Sequence, residues 1–248
     1  SNSAAAPNTT NPPYVFTYNI NGGSNLTISS SNATVTVSVP TNTVGTFVYN
    51  LVSVQYGTSP SCSQSMTGSA TVIINPSGQV NQPSNQIVCN NTSTSAVNFA
   101  TTNTGGTTSY AWSFDTNIGL IPLTGSGNIP SFTAVNTGLA PTVATITVIP
   151  TYTNGGESCV GLPKSFTITV NPIADVVQPN HQVVCNGSST AGITFSSLNG
   201  TGITTYSWTN SNTSIGLPVS GSGAVIPAFN AVNTGNIPVI ATITVTPS

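Results

Sequence analysis

Very few side chains in this sequence could carry acid–base, nucleophilic or metal chemistry. Of 248 residues only 2% are charged, against about 25% in an ordinary soluble domain. With one basic residue besides its single His, the chain has no patch of cations for a nucleic-acid backbone or an anionic membrane surface. We therefore expect no nucleic-acid partner, and without a long apolar run we expect no membrane insertion. Polar catalysis would have to draw on Asp115, Glu157, Asp175, Lys164, His181 and four cysteines.

One combination of these residues supplies the side-chain types of a Ser-His-Asp triad, namely Ser188, His181 and Asp175. No nucleophile elbow surrounds any serine, and the three residues lie on or beside one expected strand. We interpret His181 as a solvated linker residue and predict that the protein is not an enzyme.

Two other kinds of site find equally weak support. Lys164 could form an isopeptide crosslink with an asparagine, with Glu157 as the nearby acid, but a lone exposed lysine is the simpler interpretation. Calcium needs clustered carboxylates, and Asp115, Glu157 and Asp175 are scattered along the chain. The sequence predicts no metal and no cofactor.

The sequence repeats itself in order. Residues 86–90 recur as 182–186 and residues 110–113 recur as 206–209, both at an offset of 96 (182 − 86 and 206 − 110). Later motifs recur at 97, as when residues 134–138 return as 231–235 (231 − 134). One inserted residue near 224–226 explains the change of offset. Such ordered matches indicate a tandem array.

The repeats have the alternation of β-strands. Residues 34–39, 144–148 and 166–170 alternate Thr or Ser with Val, Ile or Phe, apart from Ala144, and this is the pattern of half-buried antiparallel strands. Strands are expected near 80–88, 96–100, 108–114, 118–123, 129–135, 142–152 and 165–171. Seven short strands in one repeat indicate an immunoglobulin-like sandwich. We expect Trp112 and Trp208, in the third strand of their repeats, to anchor its core.

These observations predict an all-β chain of three modules. Residues 1–76 form a divergent immunoglobulin-like repeat that lacks its beginning, 77–172 a complete repeat, and 173–248 a repeat that lacks its last strand. Short Pro-containing linkers at 76–80 and 172–176 limit bending, so we expect an elongated rod.

The motifs of the second and third modules resemble a known class of repeats. The segments 88–90 (VCN), 110–112 (YAW), 125–127 (GSG), 134–138 (AVNTG), 154–156 (NGG) and 166–172 (FTITVNP), with Cys159, resemble the PKD-like repeats of giant cell-surface adhesins of the Bacteroidetes. Residues 16–23, 45–49 and 62–64 resemble a companion repeat type. The resemblance covers nearly the whole chain. It implies an extracellular sandwich array at the bacterial surface, exported by the type IX route, with gliding-motility adhesins as the nearest group and no catalytic residues.

The four cysteines allow more than one pairing. Bonds Cys62–Cys89 and Cys159–Cys185 between successive modules would use every thiol, but about eight residues of strand carry the chain ~26 Å from Cys159 before the next module begins. Bridged Cα atoms must lie within about 7 Å. We therefore predict a Cys89–Cys159 disulfide within the second module, with Cys62 and Cys185 unpaired.

The leading functional prediction is a structural and adhesive segment that extends a large adhesin from the cell and mediates attachment. Its partners would be a surface polysaccharide or substratum and neighbouring repeats of the same chain, with homo-assembly as a further expectation. One alternative is a self-assembling extracellular filament, in which the open edge of the third module accepts a strand. The other is a carbohydrate-binding module of a secreted enzyme, with Tyr14, Tyr56 and Tyr152 as stacking candidates.

Overall fold

The computed structural model describes residues 13–57 and 62–248. Its regular elements are sixteen β-strands and one 3₁₀ turn, so the expected all-β class is confirmed for the described residues. The chain divides into two compact units: residues up to 79 with 103–108 and 151–161, and residues 80–102, 109–150 and 162–248. The three-module division stays a prediction.

The first sheet lies in the first unit and is antiparallel throughout. Its order is β2-β1-β3-β4, and β5 also pairs with β3. Every residue of β1 is half-buried, and the expected strand 34–39 is absent. The valines of that segment are nevertheless half-buried and its Thr and Ser residues exposed, so the alternation is present without strand pairing. The strands are β1 Tyr14–Ile20, β2 Leu26–Ser30, β3 Gly45–Tyr56, β4 Cys62–Ser65 and β5 Ser69–Ile74.

The second sheet has the order β6-β11-β9-β7-β8, and β10 pairs with β9. The pairing of β6 with β11 is parallel, whereas β11 with β9 is antiparallel. An opposing layer has few regular strands. Within it, isolated β-bridges pair Ser93 with Thr133 and Val97 with Ile129. The expected strands 118–123 and 129–135 are therefore mostly loop. The strands are β6 Gln86–Cys89, β7 Thr107–Phe114, β8 Thr124–Ser126, β9 Thr142–Asn154, β10 Glu157–Val160 and β11 Lys164–Asn171.

The core beneath the second sheet follows the alternation of apolar and polar residues in the sequence. Alternate residues of β9 and β11 are at most 2% exposed, and Trp112 and Phe114 of β7 are 8% and 6% exposed. Ile118 and Ile129 complete the same cluster from the opposing layer, and both are at most 1% exposed. The buried positions of β9 and β11 are Ala144, Ile146, Val148, Phe166, Ile168 and Val170.

The last third of the chain repeats this plan with fewer strands. Two small antiparallel sheets have the orders β12-β15 and β14-β13-β16. Trp208 is 7% exposed and packs with Phe195, Tyr206, Leu217 and Ile226. The elements are β12 Ile193–Thr194, β13 Tyr206–Asn210, the 3₁₀ turn Thr213–Ile215, β14 Ser220–Ser222, β15 Val225–Ile226 and β16 Ile243–Pro247.

Candidate functional site: the linker clamps

The residues that could have formed a triad are engaged elsewhere. One carboxylate oxygen of Asp175 accepts hydrogen bonds from the Ser197 hydroxyl and from the Leu198 amide, the latter at 3.0 Å. His181 and Ser188 are exposed, and neither is hydrogen-bonded to this carboxylate. Asp175 therefore holds the loop around residue 198 to the second linker. Among the described residues, no three His, Cys, Asp or Glu side chains lie close enough together to hold a metal ion.

The cysteines differ from the expectation. All four thiols are free in the structure, so the Cys89–Cys159 disulfide is not present. Strands β6 and β11, which correspond to the first and last strands of the predicted second module, are neighbours, but they run parallel. Cys89 consequently lies opposite Asn171, at the carboxyl end of β11, whereas Cys159 precedes the amino end of that strand.

Asn103 clamps the first linker. Within the first unit its side-chain oxygen accepts a hydrogen bond from the Gln79 amide at 2.7 Å, and its side-chain nitrogen donates to the Ser77 carbonyl at 3.2 Å. One amide side chain thus satisfies a donor and an acceptor of an irregular segment that belongs to no strand. The linker is fixed by a neutral group.

Asn199 makes the same pair of bonds at the second linker, within the second unit. Its oxygen accepts from the Asp175 amide at 3.2 Å and its nitrogen donates to the Ile173 carbonyl at 3.1 Å. All three positions follow the repeat offset of 96 (199 − 103, 175 − 79 and 173 − 77). We call the two arrangements, Asn103 with 77–79 and Asn199 with 173–175, the linker clamps.

The first linker has further fixed contacts inside its unit. Asn75 and Asn154 exchange two hydrogen bonds of 3.0 Å each, one to the Asn154 carbonyl and one between the side chains. The Gly78 amide donates to the Cys159 carbonyl at 3.1 Å. A Cβ on Gly161 would lie 1.8 Å from the Gly78 carbonyl oxygen, so only glycine permits this approach. The β9–β10 hairpin therefore packs on the linker backbone.

Tyr152 belongs to this same arrangement and not to a glycan platform. It is 2% exposed, and its hydroxyl donates to the Thr104 carbonyl at 2.9 Å. Its burial corrects its place among the stacking candidates. Tyr56, by contrast, is 39% exposed and lies 4.7 Å from Tyr14 between ring centroids.

The two tryptophans explain the Gly-Ser-Gly motif. Trp112 lies against Gly125 and Trp208 against Gly221, where a Cβ would approach the indole ring to 2.2 Å and 2.4 Å. Each glycine is the cross-strand partner of its tryptophan. The motif therefore makes room for the ring. The indole nitrogen of Trp112 donates to the Gly127 carbonyl at 3.1 Å, whereas that of Trp208 has no partner.

The charge of Asp115 is not retained at the equivalent position of the next repeat. The Asp115 carboxylate accepts from the Thr145 amide at 2.8 Å, and this backbone bond holds its pKa below the ordinary aspartate value. At the equivalent position the Ser211 hydroxyl accepts from the Thr242 amide, also at 2.8 Å. The repeat needs an acceptor oxygen here and not a charge.

The linker clamps yield a direct prediction. Asn103→Ala in the full chain should speed hydrogen exchange of the Gln79 amide about fivefold, because one hydrogen bond of about 1 kcal/mol is lost. Asn199→Ala should speed hydrogen exchange of the Asp175 amide by the same factor and leave exchange of the Gln79 amide unchanged. The two variants are controls for each other, and unchanged exchange at both amides would show that the clamps do not fix the linkers.

The fold and these sites define an all-β protein with sandwich-like sheets. No family model and no curated protein matches the chain. Twenty-three chains of solved structures do match. One, entitled "Sidekick-1 immunoglobulin domains 1-5", has 14% identity and a TM-score of 0.26, and the match covers 94% of this chain and 51% of that one. The chain thus spans about half the length of that structure, and a TM-score this low supports no functional argument.

Proposed function

We propose that this chain is a structural and adhesive repeat segment of a large PKD-like adhesin at a bacterial cell surface. It would act outside the cell after type IX export, extend the protein from the surface, and serve attachment of the kind used in gliding motility. It would perform no catalysis. Its partners would be a surface polysaccharide or substratum and the neighbouring repeats.

The observation that carries this proposal is the recurrence of the linker clamp. A tandem array gains reach by adding modules, and each addition helps only if the new linker is also fixed. Asn103 and Asn199 make matching bonds to their linkers, and the tryptophan–glycine anchor recurs with them. A scaffold that is lengthened by repetition would need these features, and a binding module that acts singly would not.

The surface chemistry supports attachment by neutral contacts. The chain has a formal net charge of −2, and many large apolar side chains are exposed, Leu162 at 84% and Ile203 at 92% among them. Hydrogen bonds from Asn, Thr and Ser together with apolar contacts would then supply adhesion. Such contacts are only weakly screened by salt.

Adhesion of the full chain should therefore be nearly independent of ionic strength. Detachment forces of coated beads on a glass or polysaccharide substratum would be measured between about 0.01 and 1 M NaCl, over which the Debye length falls from about 30 to 3 Å. We expect a change of less than about twofold. Beads coated with a lysine-rich protein of similar size are the control and should detach at high salt. A steep loss of adhesion by this chain would contradict the proposal, as would the absence of any adhesion.

Carbohydrate binding by a single module remains the second candidate, because Tyr56 is exposed beside Tyr14. A glycan array with the full chain separates the two functions. One saturable ligand that is lost in Tyr56→Ala would favour the carbohydrate-binding module. Weak attachment to many surfaces, unchanged by Tyr56→Ala, would favour the adhesive segment.

A further inference from the structure

Asparagine followed by glycine is a chemically reactive pair. Glycine has no Cβ to shield its amide nitrogen, so this nitrogen can attack the Cγ of the preceding asparagine and expel the side-chain amide as ammonia. Asparagine is accordingly one of the thermolabile residues of proteins. The chain contains four such pairs, and they begin at Asn21, Asn154, Asn186 and Asn199. The structure holds the four pairs differently, so we expect them to react at different rates.

Three of the pairs have hydrogen bonds on both reacting groups. Their glycine amides donate, Gly22 to the Asn19 side chain at 3.1 Å, Gly187 to the Ala231 carbonyl at 2.8 Å and Gly200 to the Leu139 carbonyl at 2.9 Å. Their asparagine side-chain oxygens accept, Asn21 from Val48 at 2.7 Å, Asn186 from Asn233 at 2.9 Å and Asn199 from Asp175 at 3.2 Å. These bonds must open before the nitrogen reaches the carbon, so the three pairs are protected.

The pair Asn154–Gly155 lacks both of these protections. It lies in the β9–β10 hairpin, where Asn154 and Glu157 are cross-strand partners. The two turn residues, Gly155 and Gly156, have φ of +62° and +85°, as a two-residue hairpin turn requires. Among the described residues, the Gly155 amide has no hydrogen-bond acceptor and the Asn154 side-chain oxygen has no donor. Gly155 is also exposed, so water reaches the pair.

Asn75 provides the one side-chain restraint on Asn154. The Asn154 side-chain nitrogen donates to the Asn75 side-chain oxygen at 3.0 Å, next to the first linker. A carboxylate at position 154 would have no hydrogen to donate, so this bond would be lost. It would also face the carboxylate of Glu157 across the hairpin, and like charges in directly opposed positions destabilise a strand pair. Deamidation here would therefore weaken the contact between hairpin and linker.

We propose that Asn154–Gly155 is a self-modifying site, at which deamidation of Asn154 loosens the β9–β10 hairpin from the first linker. The Gly155 nitrogen bonds to the Asn154 Cγ as the Cγ–Nδ2 bond breaks, and the amide proton leaves with Nδ2 as ammonia. Water then adds to either carbonyl of the succinimide ring and opens it to aspartate or isoaspartate. Water is the only co-reactant, and the change replaces a neutral side chain by a charged one.

Peptide mass mapping of the full chain during incubation at neutral pH tests the proposal. Each event exchanges an ammonia for a water, and we expect Asn154 to react about tenfold faster than the asparagines of the other three pairs, because their additional hydrogen bonds must open first. Asn154→Gln is the control, since its amide lies one carbon further from the Gly155 nitrogen, and it should remove the fast event. Equal rates at the four pairs, or a faster reaction at another pair, would overturn the proposal.

Two further variants test the restraint and the consequence. Asn75→Ala should speed deamidation of Asn154 about fivefold, the effect of one hydrogen bond, whereas Asn199→Ala should leave that rate unchanged. An unchanged rate in Asn75→Ala would contradict the restraint. Asn154→Asp reproduces one product and should speed hydrogen exchange of the Gly78 amide, which donates to Cys159 of the hairpin, about fivefold. Unchanged exchange there would show that deamidation does not loosen the linker.

Discussion

Trp112→Ala is expected to lower the free energy of unfolding of the core around the second sheet by about 3–5 kcal/mol, the usual cost of removing a buried tryptophan. The ring is 8% exposed, packs edge-on against Phe114 at 5.7 Å, and donates its indole hydrogen to Gly127. Its loss would leave a cavity in the main core. Urea unfolding of the full chain, monitored by hydrogen exchange of the amides in β7, β9 and β11, measures the change in the free energy of unfolding.

Gly125→Ala tests the same contact from the other side. The new methyl group would lie 2.2 Å from the Trp112 ring, so the ring or the strand must shift while the tryptophan is retained. We expect the free energy of unfolding to fall here too, by about 1–3 kcal/mol, the usual cost of an overpacked core. Loss of less than about 1 kcal/mol in Trp112→Ala would show that the tryptophan is not the anchor.

Asn136→Ala is expected to destabilise the core around the second sheet by about 2–4 kcal/mol, since one buried and two part-buried hydrogen bonds are lost at once. The Asn136 side chain bonds the Val170 carbonyl, the Ala140 carbonyl and the Gly138 amide, and the residue is 5% exposed. Differential scanning calorimetry of the full chain would record the lowered transition.

The equivalent asparagine provides the control. Asn233 is half-buried, and its side chain bonds only the Ile237 carbonyl and the Gly235 amide, both in exposed surroundings. Water can replace both partners there, so Asn233→Ala should cost less than about 1 kcal/mol. Similar losses in the two variants would contradict the role given to the Val170 bond.

The sequence predicts the repeats and their core well. Alternation in 144–148 and 166–170 identifies strands whose buried faces are those observed, because strand periodicity is a local property. The inserted residue near 224–226 also has a structural counterpart. The Phe195 amide donates to the Ala224 carbonyl, whereas the equivalent Phe99 amide donates to the Asn128 side chain.

Other features depend on contacts that no local pattern encodes. The linker clamps join residues 24 or 26 positions apart through a side chain that is abundant throughout the chain, so Asn103 could be found only by aligning the repeats and comparing linkers. The parallel direction of β6 beside β11 is one such feature, because a four-residue strand has the same side-chain pattern whichever way it pairs. Segment 34–39 has strand alternation and no strand partner.

Small-angle X-ray scattering of the full chain tests most directly whether the chain is the extended scaffold proposed above. Modules of about 30 Å in series predict a radius of gyration of roughly 27 Å or more, and the value should be the same at low and high salt. A value near 18 Å, expected for a compact globule of this length, would contradict the account.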